Sequence, residues 1–547
     1  MSNLEFPGVY VTPLVTPVSA ITSVPTSNTV FIGAAETGAF NTPTLVTSWN
    51  QYLATFGGLV WGAQMPFAVF SFFAHGGSVC YVVRAGTDAA GLETPASLTA
   101  GPLQISAASP GPWGDSLAVT ISDAPPAGAG GAPSPTFAVN VYYRTPATGA
   151  VLSVSDQLFA AYASSNALPA QGFGGETYSL IESFGPFSAA DLQGVAGAPS
   201  NIEIRINQAS MFIRVAATAA TRPANLAQPT ALSGGAGDPV AGAPYLATAL
   251  GALDLLTDAS LLCAPETVWI ADLGLQRAAV QQVLAWCDAR PRKDLFYIAD
   301  TPFGLSTPEA DAFKTGAASP DGVVPAGAAL TSSHGAIYYP WITVLNPLSN
   351  GIVAIAPSGA MAGLYAQTDA SVGPWKAAAG ITNGALSGAT AVVATVTDAD
   401  QDILNPDGVN AIRMFANYGV CAYGAGTMAS SAMPGDPDLT YISVRRLLTM
   451  IELSVSNGLQ WVAFEPTSPA LWSTVSRGVR LYLTGLWQEG ALFGATAAAA
   501  FSVQCDAANN TPADQAAGLL NVDIMVAPMH PAEFVVLRVQ VATLASS

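Results

Sequence analysis

The stretches 441-YISVRRLLTMIELSVSNG-458, 460-QWVAFEP-466 and 468-SPALWSTVSRGVRLYLTGLWQEG-490 form the most regular part of the chain. In the first, Val444, Leu447, Leu448, Ile451 and Val455 recur at three- and four-residue spacing, which places them on one face of a helix that Gly458 stops. The second reads as a short apolar strand. The third begins with Ser468 as an N-cap and Pro469 at the first helical position, where the missing N–H costs nothing, and Gly490 closes it. With two strands after it, the block at 441–527 predicts helix, strand, helix, strand, strand: a framework, with no loop carrying catalytic groups.

Working outward, IRMFANYGVCAYGAG at 412–426 is strand-like. Before them, ALGALDLLTD, LLCAP, TVWIADL, RAAVQQVLAWCDAR and LFYIAD alternate strand and helix, as a parallel sheet requires. TVFIGAA, the SWNQYLATFGG region with Ser48 as cap, PFAVFSFFAHGG and the strand at 80–84 make another α/β segment. Between 86 and 237, Gly, Pro, Ala and Ser punctuate alternating segments such as LAVTISD, FAVNVYYR, NIEIRIN and MFIRVAA, which predicts a β-rich insertion with PPAGAGGAPSP as a surface loop. Four prolines within the first 25 residues predict an extended arm, and EFVVLRVQVATLASS at the other end alternates like a half-buried strand. The expected fold is a multi-domain α/β (α+β) chain with a discontinuous inner α/β core, extended N- and C-terminal arms and a β-rich inserted outer domain. Its parts are an N-terminal arm at 1–25, an α/β segment at 26–85, the insertion at 86–237, an α/β domain at 238–350, a C-terminal core domain at 351–527 and a C-terminal strand arm at 528–547.

Composition narrows the function. Of the 547 residues half are hydrophobic and 10% charged, so part of the uncharged surface is expected to meet other protein. The net charge of −19 opposes phosphate backbones and anionic lipid, which argues against a nucleic-acid partner. The five cysteines are far apart and set in apolar runs, as buried thiols are. No segment supplies some eighteen consecutive apolar residues or a signal peptide, so neither membrane insertion nor Sec export is expected.

The chemical motifs are weak. His75, His334 and His530 are isolated from one another and from any cysteine at metal spacing. Asp398, Asp400 and Asp402 imitate the start of a calcium loop, but Ile403 stands where glycine is needed and Val409 where the bidentate glutamate belongs, so a solvated turn is the simpler reading. GAGTMA at 424–429 has dinucleotide-loop spacing without a following helix. No phosphate-loop or G-x-S-x-G motif occurs. Trp472 reads as core. Arg445 and Arg446, with Glu452 following, read either as a solvated face or as a charged face that meets an acidic partner. No catalytic residue, metal or cofactor is expected.

The blocks PGVYV (7–11), FIGAAETG (31–38), LVTSWNQYLATFGG (45–58), GAIYYPWITV, PSGAMAGLYAQTD, VGPWKAAAG, LNPDGVNAIR, YISVRRLLTMIE, GLQWVAFEP, LWQEGALFGAT, FSVQCD and VAPMHPAEFVVLRV resemble contractile tail sheath proteins in order and spacing. The family includes sheaths of phage tails, bacteriocin particles and extracellular injection systems. The resemblance implies an inner sheath core with a variable outer insertion. It implies stacked hexameric rings around an inner tube, assembled in the bacterial cytoplasm, that contract to drive the tube through a target envelope. Implied partners are further copies of the chain, the tube protein, and baseplate and tail-terminator proteins. The arms, with Phe6, Pro7, Gly8, Val9, Tyr10 and Val11 at one end and Phe534, Val535, Val536, Leu537, Arg538, Val539, Gln540 and Val541 at the other, would add strands to neighbouring subunits. Arg445, Arg446 and Glu452 would face the tube. A rival expectation is a surface- or glycan-binding insertion on a passive scaffold.

Overall fold

The computed structural model describes residues 20–86, 94–124, 134–147, 152–194, 198–237, 243–429 and 437–531. The predicted arm residues 6–11 and 534–541 and most of the PPAGAGGAPSP loop lie outside these. The chain divides into two compact units: a large one of residues 25–446 with 530–547, and a small one of residues 1–24 with 447–529.

The large unit is built on an eight-stranded sheet. Its order is Gly419–Ala422, Val409–Phe415, Gly335–Tyr339, Phe296–Asp300, Leu261–Cys263, Thr29–Gly33, Cys80–Arg84 and Thr44–Val46. The outermost strands at each end pair antiparallel and all inner pairings are parallel. Parallel strands covered on both faces must be apolar throughout, and Thr29–Gly33, Phe296–Asp300 and Gly335–Tyr339 are buried along their whole length. Phe31, Val82, Cys263, Ile298 and Tyr338 share one core with the helices Met65–Ala74 and Ser358–Ser371; Val30, Ile32, Leu262, Tyr297 and Ile337 share the other with Leu273–Ala289. Segments expected as separate at 26–85, 238–350 and 351–527 therefore contribute strands to one sheet.

The insertion is β-rich, with a five-stranded and a three-stranded antiparallel sheet. One of its expected strands is a helix. NIEIRIN forms Asn201–Asn207 because Ser200 and Glu203 make a capping box, and the buried Ile202 and Ile206 stand four apart while Ile204 is exposed. The capping box was visible in the sequence as S-x-x-E and outweighs the alternation. The aspartates read as a solvated turn likewise lie in the helix Asp398–Leu404, with Asp398 and Asp400 in its first turn, capped by Thr397, whose N–H and hydroxyl donate to Asp400 at 2.8 and 2.6 Å.

The small unit contains residues 447–490 of the regular stretch 441–490. Ile442–Gly458 is a helix that runs into it, with Val444, Leu447, Ile451 and Val455 buried as the spacing predicts. The helix Pro469–Gln488 follows, with the Ser468 hydroxyl accepting from the Leu471 N–H at 3.2 Å and Trp472, Val475, Val479, Leu483 and Leu486 forming its buried stripe. The expected strand QWVAFEP is instead a 3-10 turn, Gln460–Val462, and a bend at Phe464 with φ of 73°. Among the described residues no strand pairs with this connection, and it closes in a tight turn between the two helices. The two following strands, Phe501–Gln504 and Asp523–Val526, pair antiparallel as expected.

Candidate assembly site

The two-stranded sheet of the small unit is held rigidly. The Arg480 guanidinium donates to the Val503 carbonyl. The loop between the strands is pinned by Asn509, which donates to Gln504 O and Asp523 Oδ2 at 2.9 Å each, and by the fully buried Asn510, whose Oδ1 accepts from Asn521 N at 2.7 Å. Each strand pairs with the other on one side, and among the described residues no further strand of this sheet lies on either outer edge. A lone two-stranded ribbon is marginal in water, and open edges are templates for another chain. Beside it, Met525 is 69% and Phe493 67% exposed, and Phe493, Leu492, Trp487 and Met529 line one open groove. Phe464 is fully exposed at its left-handed bend, an uncommon conformation for a bulky side chain.

The start of the described chain is fixed in the same unit. Val24 N donates to Ser454 Oγ at 3.0 Å and Ser23 Oγ lies 3.2 Å from Tyr482 Oη. Ile21 sits directly on Gly458, where a Cβ would fall 2.7 Å from Ile21 Cγ1. Gly458 therefore stops the helix and also makes room for the root of the N-terminal segment.

The predicted tube-facing residues are not brought together on one face. Arg445 and Arg446 are both buried, and Glu452 is exposed. In the large unit Arg446 forms a two-point ion pair with Asp369, Nη1 to Oδ1 at 3.1 Å and Nη2 to Oδ2 at 2.5 Å, with side chains 6% and 5% exposed. Nη2 also donates to Thr26 O at 2.9 Å, the Thr26 hydroxyl donates to Asp369 Oδ2 at 2.6 Å, and the guanidinium stacks 4.8 Å from the Tyr365 ring. Burial pushes the Asp369 carboxyl above its ordinary range, against the pull of Arg446 and Thr26. The solvated arginine pair is thus corrected: Arg446 is an internal clamp. Its partner, 77 positions earlier in the chain, carried no local signal.

The groups weighed for chemistry have structural surroundings. His75 is buried, donating from Nδ1 to Ser71 O at 2.7 Å and accepting at Nε2 from Gly388 N at 3.3 Å, and burial holds its pKa below the usual value, so it is neutral. His334 Nδ1 lies 2.9 Å from Asp288, and the His530 ring lies 5.7 Å from that of Tyr441. Burial pushes the thiols of Cys80, Cys263 and Cys287 far up. Within GAGTMA, Asn410 occupies the loop, accepting from Gly426 N and donating to Gly426 O at 2.8 Å each. Among the described residues no group of three His, Cys, Asp or Glu is placed to hold a metal, and no helix is long and apolar enough to cross a membrane.

With this geometry in hand, comparison with known proteins is specific. Residues 435–542 match the family described as phage tail sheath C-terminal domain. The tail sheath protein of Vibrio phage KVP40 is 29% identical over 153 residues, which are 28% of this chain and 21% of that protein, so the match spans about a fifth of the phage relative's length. Over the whole chain the fold is similar to the sheath of an extracellular contractile injection system in its contracted state, with a TM-score of 0.55, 19% identity and 99% and 98% of the two chains covered. It is equally similar to the contracted helical sheath of the anti-feeding prophage, at 0.54, 21%, 98% and 99%. The resemblance read from the sequence is borne out: residues 435–542 match the phage tail sheath C-terminal domain family, and the chain as a whole shares the fold of the contracted sheaths it is similar to.

Proposed function

We propose that this chain is the structural subunit of a contractile sheath, polymerising as stacked hexameric rings around an inner tube and shortening on a trigger to drive the tube through a target envelope. The observation that carries the reading is the open two-stranded sheet of the small unit, lying inside the segment that matches the sheath family. Residues 6–11 and 534–541 are the strands that neighbours donate to it. Main-chain ladders of this kind hold subunits together through large rigid-body movements, because the ladder moves with the element it joins. The energy of contraction lies in the packing difference between two assembled states, with no nucleotide hydrolysed. The tube, baseplate and terminator are the partners, and of the three residues first assigned to the tube face, Glu452 is the exposed one.

The test is electron microscopy of the purified full chain. Striated tubes that shorten without ATP support the reading, and contraction that requires ATP sinks its energetic half. The surface- or glycan-binding alternative is not favoured by the comparisons, whose matched proteins are sheaths.

A further inference from the structure

In open α/β sheets, ligands bind outside the carboxyl ends of the strands where the strand order reverses. In this sheet the reversal falls between Thr29–Gly33 and Leu261–Cys263, since the next parallel strand in the chain, Cys80–Arg84, lies on the other side of Thr29–Gly33. That crevice is filled from within. Glu266, on the 3-10 turn Pro265–Trp269 just beyond its strand, is 1% exposed, and its Oε1 accepts from Ala34 N at 3.2 Å and from Gln64 N and Met65 N at 2.8 Å each. Gln64 caps and Met65 begins the helix Met65–Ala74, whose first N–H groups have no intrahelical partner and whose dipole favours an anion. The third donor comes from a different segment, at the end of the strand. A separate observation shows that the space is shaped around the carboxylate: a Cβ on Gly33 would fall 2.6 Å from both Glu266 Cγ and Met65 Cβ.

We propose that residues 33–34 and 64–65 form an oxyanion cradle whose ligand is the chain's own Glu266 carboxylate, and that removing this side chain opens the cradle to a small free oxyanion of the carboxylate or phosphate class. The cradle has what a phosphate-binding crevice has: converging backbone donors, a helix N-terminus and a glycine that lets the ligand approach. Its anion is covalently part of the protein, so the junction of strand end, helix start and turn holds at any concentration of solutes. An exchangeable anion would make the same junction conditional on supply.

The experiment uses the full chain with Glu266→Ala, followed by thermal unfolding in chloride, formate, acetate and phosphate at equal ionic strength. The variant is expected to melt below the parent by several degrees and to recover in tens of millimolar formate or acetate, or in phosphate, while the parent responds to none of them more than to chloride. Carbon-13 formate should broaden on the variant only. Preference for formate or for phosphate reads the size of the cradle, and either preference supports the proposal. A folded variant whose melting is indifferent to oxyanions overturns it, as does a parent that responds equally. If Glu266→Ala does not fold in chloride, refolding in formate must recover it; failure to recover while Glu266→Gln, whose amide oxygen accepts the same bonds, does fold also overturns the proposal.

Discussion

The principal sheet of the large unit and the ribbon of the small one differ in how far the chain itself covers them. The large sheet ends in antiparallel strands on both sides, is covered on both faces and has its crevice filled by Glu266. The small sheet has two strands, open edges among the described residues, and exposed Met525 and Phe493 close by. An open edge is a liability in a solitary protein and a docking device in one that polymerises. The contrast teaches where the two bodies differ: the principal sheet of the larger unit is covered on both faces, while the ribbon of the smaller one offers main-chain edges among the described residues.

The comparison breaks most visibly by removing what the small unit receives. Deleting residues 534–547 is expected to leave folded protomers that do not polymerise, read by sedimentation and electron microscopy; normal sheaths would remove the strand-donor reading. Next, Arg446→Met strips the buried Asp369 of its counter-charge and should cost about 3–5 kcal/mol by denaturant unfolding. A cost under about 1 kcal/mol would return Arg446 to the surface role first assigned to it. Placing charge on the open edge separates the two properties: Met525→Lys should reduce polymerisation severalfold while changing protomer stability by no more than about 0.5 kcal/mol. A folded protomer that polymerises as before would show that this edge is not used.

A smaller effect tests the closed body. Burial pushes the Asp300 carboxyl, which accepts from Ser358 N at 2.7 Å, up to about 7. A carboxyl whose folded pKa exceeds its unfolded value adds stability that is full below the unfolded pKa and is lost as pH rises through the folded one. The melting temperature should therefore rise by a few degrees between pH 8 and pH 6, and Asp300→Asn should flatten that slope. The smallest is Ser468→Ala, expected to cost about 1 kcal/mol by loss of the cap over Leu471 N.

Local periodicity made much of this legible. The stripe of the helix Pro469–Gln488, its cap, the buried parallel strands and the β-rich insertion all follow from spacing and punctuation over a few residues. NIEIRIN and QWVAFEP were misread for different reasons. In the first a capping box overruled alternation; in the second an apolar run pairs with no strand among the described residues and forms a 3-10 turn. Arg446 shows a different limit. Adjacent charges on a helix look solvated until the partner, Asp369, is brought in from a distant segment.

By itself the sequence determined most of the helices and strands, the absence of familiar catalytic motifs and, through ordered blocks of residues, the sheath resemblance. Only the tertiary structure decided which strands of the separated segments pair in one sheet, that Glu266 fills its crevice, that Arg446 turns inward and that, among the described residues, the small sheet keeps open edges. The physical reason is range: periodicity and caps act within a few residues, whereas burial, ion pairing and edge exposure depend on which distant parts of the chain the fold brings into contact.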